Sequence, residues 1–209
     1  MPTNFLTLPR ELRDIIYELC LLTEEPVRPL GDTLYKWGLT PGILGTNKTI
    51  YNEARLFLYQ NRFDFTKTIA WCISSFAERI GRHNADCVRH VYIDFPEFNG
   101  VELGNITIKE RYTRIIGSIQ GSYANLKTLM TSRNSACPTI YVYHNADDLK
   151  LLTETLTVAN THFRAISSLQ DIIIEVYKRV IFFGPLEDLA RKQYERQGWT
   201  IIENGSISE

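Results

Sequence analysis

The sequence has no long apolar run and no excess of basic residues. Its 209 residues include 23 Lys and Arg and 24 Asp and Glu, which gives a formal net charge of -1. Nucleic acids and anionic membranes attract proteins through clustered Lys and Arg, so this balance argues against both kinds of partner. The absence of an apolar stretch of about 18 or more residues argues against a membrane span. The segment before Pro9 also lacks the basic start and apolar run of a secretory signal peptide.

Cysteine is scarce and scattered. The chain has four cysteines, and no two of them form a C-x-x-C pair: Cys20, Cys72, Cys87 and Cys137. Scattered cysteines in a chain without a secretory signal are typical of reduced, buried thiols. We therefore expect a protein of the cytoplasm or the nucleus.

The signature motifs of common enzymes are absent as well. The sequence has no G-x-S-x-G, P-loop, G-x-G-x-x-G or H-E-x-x-H motif. Cys87 with His83 and His90 comes nearest to a metal site, but no fourth ligand is evident, and a buried cysteine beside two surface histidines explains the spacing as well. We predict a protein that is not an enzyme and binds no cofactor or metal. A deep polar pocket around Cys87, His90 or Asp94 would favour the alternative, an enzyme with an unfamiliar site.

The N-terminal part is predicted to be helical. Pro9 suits the first turn of a helix, because an N–H at that position would have no partner within the helix. An apolar stripe then follows at helical spacing: Leu12, Ile15, Ile16 and Leu19. Two more helices are predicted at about residues 46–60 and 67–82. A loop rich in Pro and Gly, residues 23–42, separates the first two helices.

Helices and strands alternate in the rest of the chain. Strands are predicted at residues 87–95, 125–132, 139–144, 168–177 and 199–203, and helices at 108–121, 145–160 and 184–198. The first of these helices carries four apolar residues on one face: Tyr112, Ile115, Ile116 and Ile119. Three strands share the pattern apolar-x-x-apolar-x-(apolar or Thr), which starts at Val88, Leu126 and Leu169. Chance placement of apolar residues in an α/β protein also explains this pattern.

These features predict an α/β or α+β fold. A helix before each strand at a repeated interval favours a mostly parallel sheet with helices packed on it, and the leucine-rich repeat is one version of that arrangement. A helical module at about residues 1–82 would precede a helix–strand part at 83–209. No low-complexity linker lies near residue 82, so the two parts are either separate domains or one continuous unit.

Two blocks of the N-terminal part carry a resemblance to a known family. The first, LPRELRDIIYELCL at residues 8–21, is similar to the L-P-x-E-L-R-x-x-I-Y opening of the F-box-like proteins of filamentous fungi. The second is ILGTNKTIYNEARLFLYQNRFDF, residues 43–65, which is similar to the family's following block with its Ile-Tyr, Glu-Ala-Arg, Leu-Tyr and Asn-x-Phe elements. Residues 80–96 resemble the segment that often comes next in these proteins.

The resemblance implies a helical module that docks on the Skp-type adaptor of a cullin ubiquitin ligase. The C-terminal part would then hold a target protein for ubiquitin transfer. By match to the motif, five residues would face the adaptor: Leu8, Pro9, Leu12, Ile15 and Ile16. The apolar stripe fits an internal core equally well, and its exposure together with Leu8 and Pro9 would favour docking. The alternative is a degenerate F-box-like scaffold or binding domain with no link to a ligase.

Tyrosine is plentiful, with 11 residues in the chain. Four of them fall on predicted strands: Tyr92, Tyr141, Tyr143 and Tyr177. Because Tyr offers rigid, amphipathic contact area, these four are the candidates for target binding. Strand propensity and core packing explain their positions as well.

Overall fold

A parallel sheet of five strands organises the fold. The computed structural model describes residues 4–29, 38–100, 102–132, 146–177 and 185–204. The strands of the sheet, in the order in which they pair, are β1 (Arg62–Asp64), β2 (His90–Asp94), β5 (Thr128–Ser132), β6 (Asp171–Tyr177) and β7 (Trp199–Asn204). A separate antiparallel pair consists of β3 (Phe98–Asn99) and β4 (Thr107–Ile108). The predicted strand at residues 139–144 lies outside the described residues.

Seven α-helices occur in these ranges. They are α1 (Arg10–Leu21), α2 (Lys48–Tyr59), α3 (Ala70–Ile80), α4 (Arg82–Ala85), α5 (Glu110–Ser122), α6 (Ala146–Arg164) and α7 (Pro185–Arg196). Short 3-10 helices, Phe5–Thr7 and Pro41–Gly45, precede α1 and α2. None of the described helices has the length and apolar character that crossing a membrane requires.

The order of the strands in the sheet follows their order in the chain. Every neighbouring pair is parallel, and at least one helix separates successive strands of the sheet. Because such crossovers are nearly always right-handed, connections that all advance in one direction place their helices on the same face. Stacked helix–strand repeats produce this arrangement. The prediction of an α/β fold with a mostly parallel sheet is confirmed.

The helix-covered face of the sheet forms the hydrophobic core. One buried residue from each strand lies in a single row across the sheet: Phe63, Val91, Leu129, Ile172 and Trp199. Burial of one such side chain stabilises the folded state by about 1.5–3 kcal/mol. Successive side chains of a strand point to opposite faces of the sheet. The residues before and after each member of this row therefore point to the second face.

The short strand β1 joins the helical N-terminal part to the sheet. β1 pairs with β2, and Val27 forms a bridge to Phe63 on the other side of β1. The buried residues Tyr17 and Leu21 of α1 belong to the same core cluster as Trp199. Both the sheet and the core therefore continue across the boundary predicted near residue 82.

The antiparallel pair was not predicted from the sequence. Its strands are only two residues each, too short for a pattern to develop. Gly100 lies in the connection with φ of 73°, and a Cβ at this position would collide with the carbonyl oxygen of Asn105. The turn therefore requires glycine at this place.

Candidate functional site

Helix α1 is the element that carries the predicted adaptor-facing residues. Pro9 is the N-cap residue, one position before the first helical residue Arg10. The 3-10 helix before it is capped by Asn4, whose side chain accepts a hydrogen bond from the backbone N–H of Leu6 at 3.1 Å. The chain therefore enters α1 through an ordered turn.

A cluster of three side chains, Arg13, Glu53 and Tyr17, joins α1 to α2. The Nη2 and Nε atoms of Arg13 donate to the two carboxylate oxygens of Glu53 at 2.7 and 2.9 Å, which is the bidentate geometry of strong ion pairs. The hydroxyl of Tyr17 donates to Glu53 Oε2 at 2.9 Å. Nη1 of Arg13 donates to the carbonyl oxygen of Leu8 at 2.6 Å. One guanidinium thus holds both the neighbouring helix and the segment that leads into α1.

These contacts shift the ionisation of the cluster. The hydrogen bonds from Arg13, with a smaller contribution from Tyr17, lower the pKa of Glu53 below its ordinary range. The hydrogen bond to Glu53 raises the pKa of Arg13. Burial, assisted by the Glu53 carboxylate, raises the pKa of Tyr17. At neutral pH the cluster is therefore an ion pair with one neutral tyrosine donor.

The opposite face of α1 is apolar and exposed to solvent. Leu12, Ile15 and Leu19 are 48%, 51% and 78% exposed, and we call these three residues the α1 stripe. Tyr17 and Leu21, on the other side of the helix, are fully buried. The helix therefore packs into the fold through one face and leaves a second apolar face without cover.

The five predicted adaptor-facing residues fall into two groups. Pro9, Leu12 and Ile15 are exposed, whereas Leu8 and Ile16 are half-buried. Leu8 precedes the helix and Ile16 lies between its exposed and buried faces. Three of the five residues are therefore available to a partner without any rearrangement.

Acidic side chains border the α1 stripe. Glu11 and Glu18 are both exposed, and they lie four residues before and three residues after Ile15. Residues at these spacings are neighbours on a helix surface. A partner that covers the α1 stripe would therefore match it best with basic side chains at the edge of its own apolar surface.

The second face of the sheet carries a row of buried polar residues. Asp94, Ser132 and Glu175 lie side by side near the carboxyl ends of their strands, and all three are buried. The hydroxyl of Tyr92 donates to Glu175 Oε2 at 2.8 Å. Tyr92 is only 8% exposed, so its ring packs inside the fold instead of presenting a surface to a target. This burial agrees with the alternative that core packing explains the position of Tyr92, and its role in target binding stays a prediction.

The side chains of the other three candidate tyrosines lie outside the described part of the chain. Tyr141 and Tyr143 lie outside the described residues. Tyr177 is the last residue of β6, and only its backbone belongs to the described part of the chain. Their role in target binding stays a prediction.

The thiol of Cys87 forms hydrogen bonds with neighbouring protein groups. Its Sγ accepts a hydrogen bond from Nη1 of Arg55 at 3.1 Å and donates to the carbonyl oxygen of His83 at 3.3 Å. His90 lies on β2, where burial is the main cause that lowers its pKa. Within the described residues, no three His, Cys, Asp or Glu side chains are arranged to hold a metal ion.

A cleft of about 760 Å³ lies between α3 and α5. Small residues form most of its walls, among them Ala70, Ser74, Ala77, Gly117 and Gly121. Cys87, His90 and Asp94 do not line it. It is therefore not the polar pocket that would favour an enzyme.

The sequence did not reveal the partner of Arg13. Glu53 lies 40 residues away along the chain, and a helical pattern carries no information on contacts at that distance. Both residues fall within the two blocks that resemble the F-box-like family. The opposite charges of Arg13 and Glu53, one in each block, were the one feature of the sequence that could have indicated a contact between the blocks.

Comparisons of the chain with protein-family models, with curated proteins and with solved structures found no match. The resemblance of the two N-terminal blocks to F-box-like proteins therefore stays a prediction that rests on those residues. Any proposal of function must start from the geometry of α1, the sheet and the cleft.

Proposed function

We propose that the chain is a non-enzymatic interaction protein that docks on a Skp-type adaptor of a cullin ubiquitin ligase through α1. The exposure of the α1 stripe is the observation that carries this proposal. Leu12, Ile15 and Leu19 occupy positions i, i+3 and i+7, which is the spacing of a helix that binds in an apolar groove. The stripe lies within residues 8–21, the block that resembles the F-box opening.

The Arg13–Glu53–Tyr17 cluster supports docking because it fixes α1 before any partner arrives. Binding of a flexible segment costs the free energy of ordering it, and a helix already fixed in its bound orientation avoids much of that cost. The two ion-paired side chains, Arg13 and Glu53, are each 13% exposed, so salt screens this pair less than a fully exposed one.

The C-terminal part would hold the target protein, and the chemistry of ubiquitin transfer would belong to other subunits of the ligase. A protein with this role acts in the cytoplasm or the nucleus. The second candidate is a degenerate F-box-like scaffold without a ligase partner. The continuity of β1 with the sheet favours it, because the helical part is built into the fold and contributes to stability without any partner.

Co-expression with a Skp-type adaptor, followed by affinity purification, tests the proposal. The double variant Ile15→Asp, Leu19→Asp places two charges on the exposed face and should abolish the complex while the protein stays folded by circular dichroism. The matched control is Leu103→Asp, because Leu103 is 49% exposed at a different surface. Loss of the complex in the double variant alone supports docking. A wild-type chain that forms no complex leaves the scaffold as the better account.

A further inference from the structure

A tryptophan and an isoleucine at the start of α3 form a second exposed apolar surface. Trp71 is 71% exposed and Ile69 is 55% exposed. Trp is among the residues most enriched at the energetic centres of protein interfaces, and a large apolar side chain in solvent has no packing role. This surface belongs to different elements from the α1 stripe.

The turn that leads to this surface is fixed by hydrogen bonds to residues of the sheet. Lys67 has φ of 55°, a conformation that side chains other than Gly rarely adopt. Its backbone N–H donates to Asp94 Oδ2 at 2.6 Å, and the N–H of Thr66 donates to Asp64 Oδ1 at 2.8 Å. Two buried carboxylates of the sheet therefore fix the turn, and unusual backbone conformations of this kind are often found at functional sites.

Two cations border the apolar pair. Lys67 is exposed in the turn, two residues before Ile69. Arg111, on α5, extends Nη2 to within 3.5 Å of the carbonyl oxygen of Thr68. Its guanidinium also lies over the ring of Tyr112, 5.5 Å from the ring centre. The turn and α5 thus bring both positive charges beside the exposed apolar residues.

The neighbouring carboxylates already have partners within the fold. The contacts are Asp94 with the N–H of Lys67, Glu97 with Lys109, and Glu110 with Arg114. Neither the Lys67 nor the Arg111 side chain forms an ion pair with a carboxylate in the described part of the chain. The first turn of α3 also contains no acidic residue. The surface therefore combines apolar contact area with two cations that form no ion pair in the described part of the chain.

The cleft between α3 and α5 begins at this surface. Ala70, the residue before Trp71, lines it, as does Arg114, one turn along α5 from Arg111. The charged residues of the lining are Glu78, Arg82 and Arg114, and the two arginines form ion pairs with Asp86 and Glu110. Its small side chains leave room for a bound chain to continue away from the exposed tryptophan.

We propose that Lys67, Ile69, Trp71 and Arg111, here called the Trp71 patch, form a docking surface for an acidic peptide segment of a partner protein. An apolar side chain of the segment packs on Trp71 and Ile69, and its carboxylates pair with the two cations. Two cations are too few for the phosphate contacts of a nucleic-acid site. The proposal does not depend on adaptor docking, because α1 contributes no residue to this surface.

Fluorescence anisotropy with short labelled peptides tests the proposal. One pool carries Asp and Glu around a central Leu, Phe or Trp, and a second pool carries Lys in place of the acidic residues. We expect the full-length chain to bind the acidic pool only, and added salt to weaken the binding. Trp71→Ala should weaken it roughly tenfold or more, as for a residue at the centre of an interface. Leu103→Ala, at an apolar residue that is 49% exposed, is the matched control and should change nothing.

A charge-reversal pair separates the roles of the cations. The double variant Lys67→Glu, Arg111→Glu should abolish binding of the acidic pool, whereas Lys192→Glu, at an exposed lysine of α7, should not. Thermal unfolding of each variant shows whether its fold is intact. Equal binding of both pools, no effect of Trp71→Ala, or binding to anionic lipid vesicles without binding to the peptides would each overturn the proposal.

Discussion

Helices α1 and α5 carry apolar residues at the same spacing and place them in opposite environments. In α5 the four residues Tyr112, Ile115, Ile116 and Ile119 are all at most 4% exposed. In α1 the corresponding set contains Leu12, Ile15 and Leu19, which are 48%, 51% and 78% exposed, and the half-buried Ile16. A helical stripe of apolar residues therefore does not by itself say which side of a helix faces the core.

The residues on the other faces of the two helices explain the difference. The face of α5 opposite its apolar stripe carries Gly117 and Gly121, which line the cleft beside α3 and offer little apolar area to bury. The other face of α1 carries Tyr17 and Leu21, both 0% exposed, and the Arg13 ion pair. Helix α1 thus has two faces capable of packing, and the face that bears Tyr17, Leu21 and the Arg13 ion pair is the one turned inward.

Removal of a core side chain from α5 should have the largest effect on stability. Ile119 is 0% exposed, and Ile119→Ala leaves a cavity that the fold cannot fill. We expect the free energy of unfolding to fall by about 2–5 kcal/mol. Urea denaturation measures it, with Leu19→Ala at the corresponding position of α1 as the control, for which we expect about 0.5 kcal/mol or less. Equal losses in both variants would mean that the α1 stripe is part of the core.

Disruption of the Arg13–Glu53–Tyr17 cluster should have the second-largest effect on stability. Glu53→Gln keeps the shape of the side chain but removes the charge that accepts three hydrogen bonds from Arg13 and Tyr17. We expect a loss of about 1–3 kcal/mol in the free energy of unfolding, because hydrogen bonds to charged groups are the stronger ones. Urea denaturation again measures the change. Glu18→Gln, at an exposed position of α1, should leave stability unaltered, and a similar loss there would contradict the special role of Glu53.

The contribution of Glu53 to the free energy of unfolding should depend on pH. The pKa of Glu53 in the folded protein lies below its ordinary value of 4.5. Its stabilising contribution is therefore complete above pH 4.5 and disappears as the pH falls through the folded-state pKa. The difference in unfolding free energy between wild type and Glu53→Gln should be constant near neutral pH and shrink in acid. A difference that persists or grows in acid would show that Glu53 does not act through its charge.

The smallest effect on stability should come from the α1 stripe itself. The double variant Leu12→Ser, Leu19→Ser removes apolar area that is already in contact with water. The free energy of unfolding should therefore change by only about 0.5 kcal/mol. It should nevertheless lower the fluorescence of a dye that binds exposed apolar surface. Unchanged dye fluorescence would mean that the stripe is not an accessible patch in solution.

The sequence was sufficient for the elements whose apolar pattern is long. Helices α2, α3 and α5 and strands β2, β5, β6 and β7 were all predicted within a few residues. The parallel sheet followed from a helix before each strand, since parallel strands need long connections. Strand β1 was visible only as a short extended segment, and its place at the edge of the sheet depends on pairing with β2, about 28 residues later in the chain.

The candidate sites were predicted less well, because exposure depends on tertiary packing. The sequence identified Leu12 and Ile15 but left open whether they face a core or a partner. It placed Tyr92 on a strand but not its hydrogen bond to Glu175, which lies 83 residues away. Trp71 lies outside the buried face of α3, formed by Ile73, Phe76 and Ala77, and a helical projection of residues 70–80 would have shown this.

The place of β1 in the sheet has a consequence for the two exposed apolar surfaces. β1 is bonded to β2 on one side and to Val27 on the other, and the segment that follows it leads into the turn before Trp71. Any molecule held on α1 is therefore carried by the same hydrogen-bonded framework as any molecule held at the Trp71 patch. The distance and angle between two such partners are therefore set by the backbone geometry of the fold.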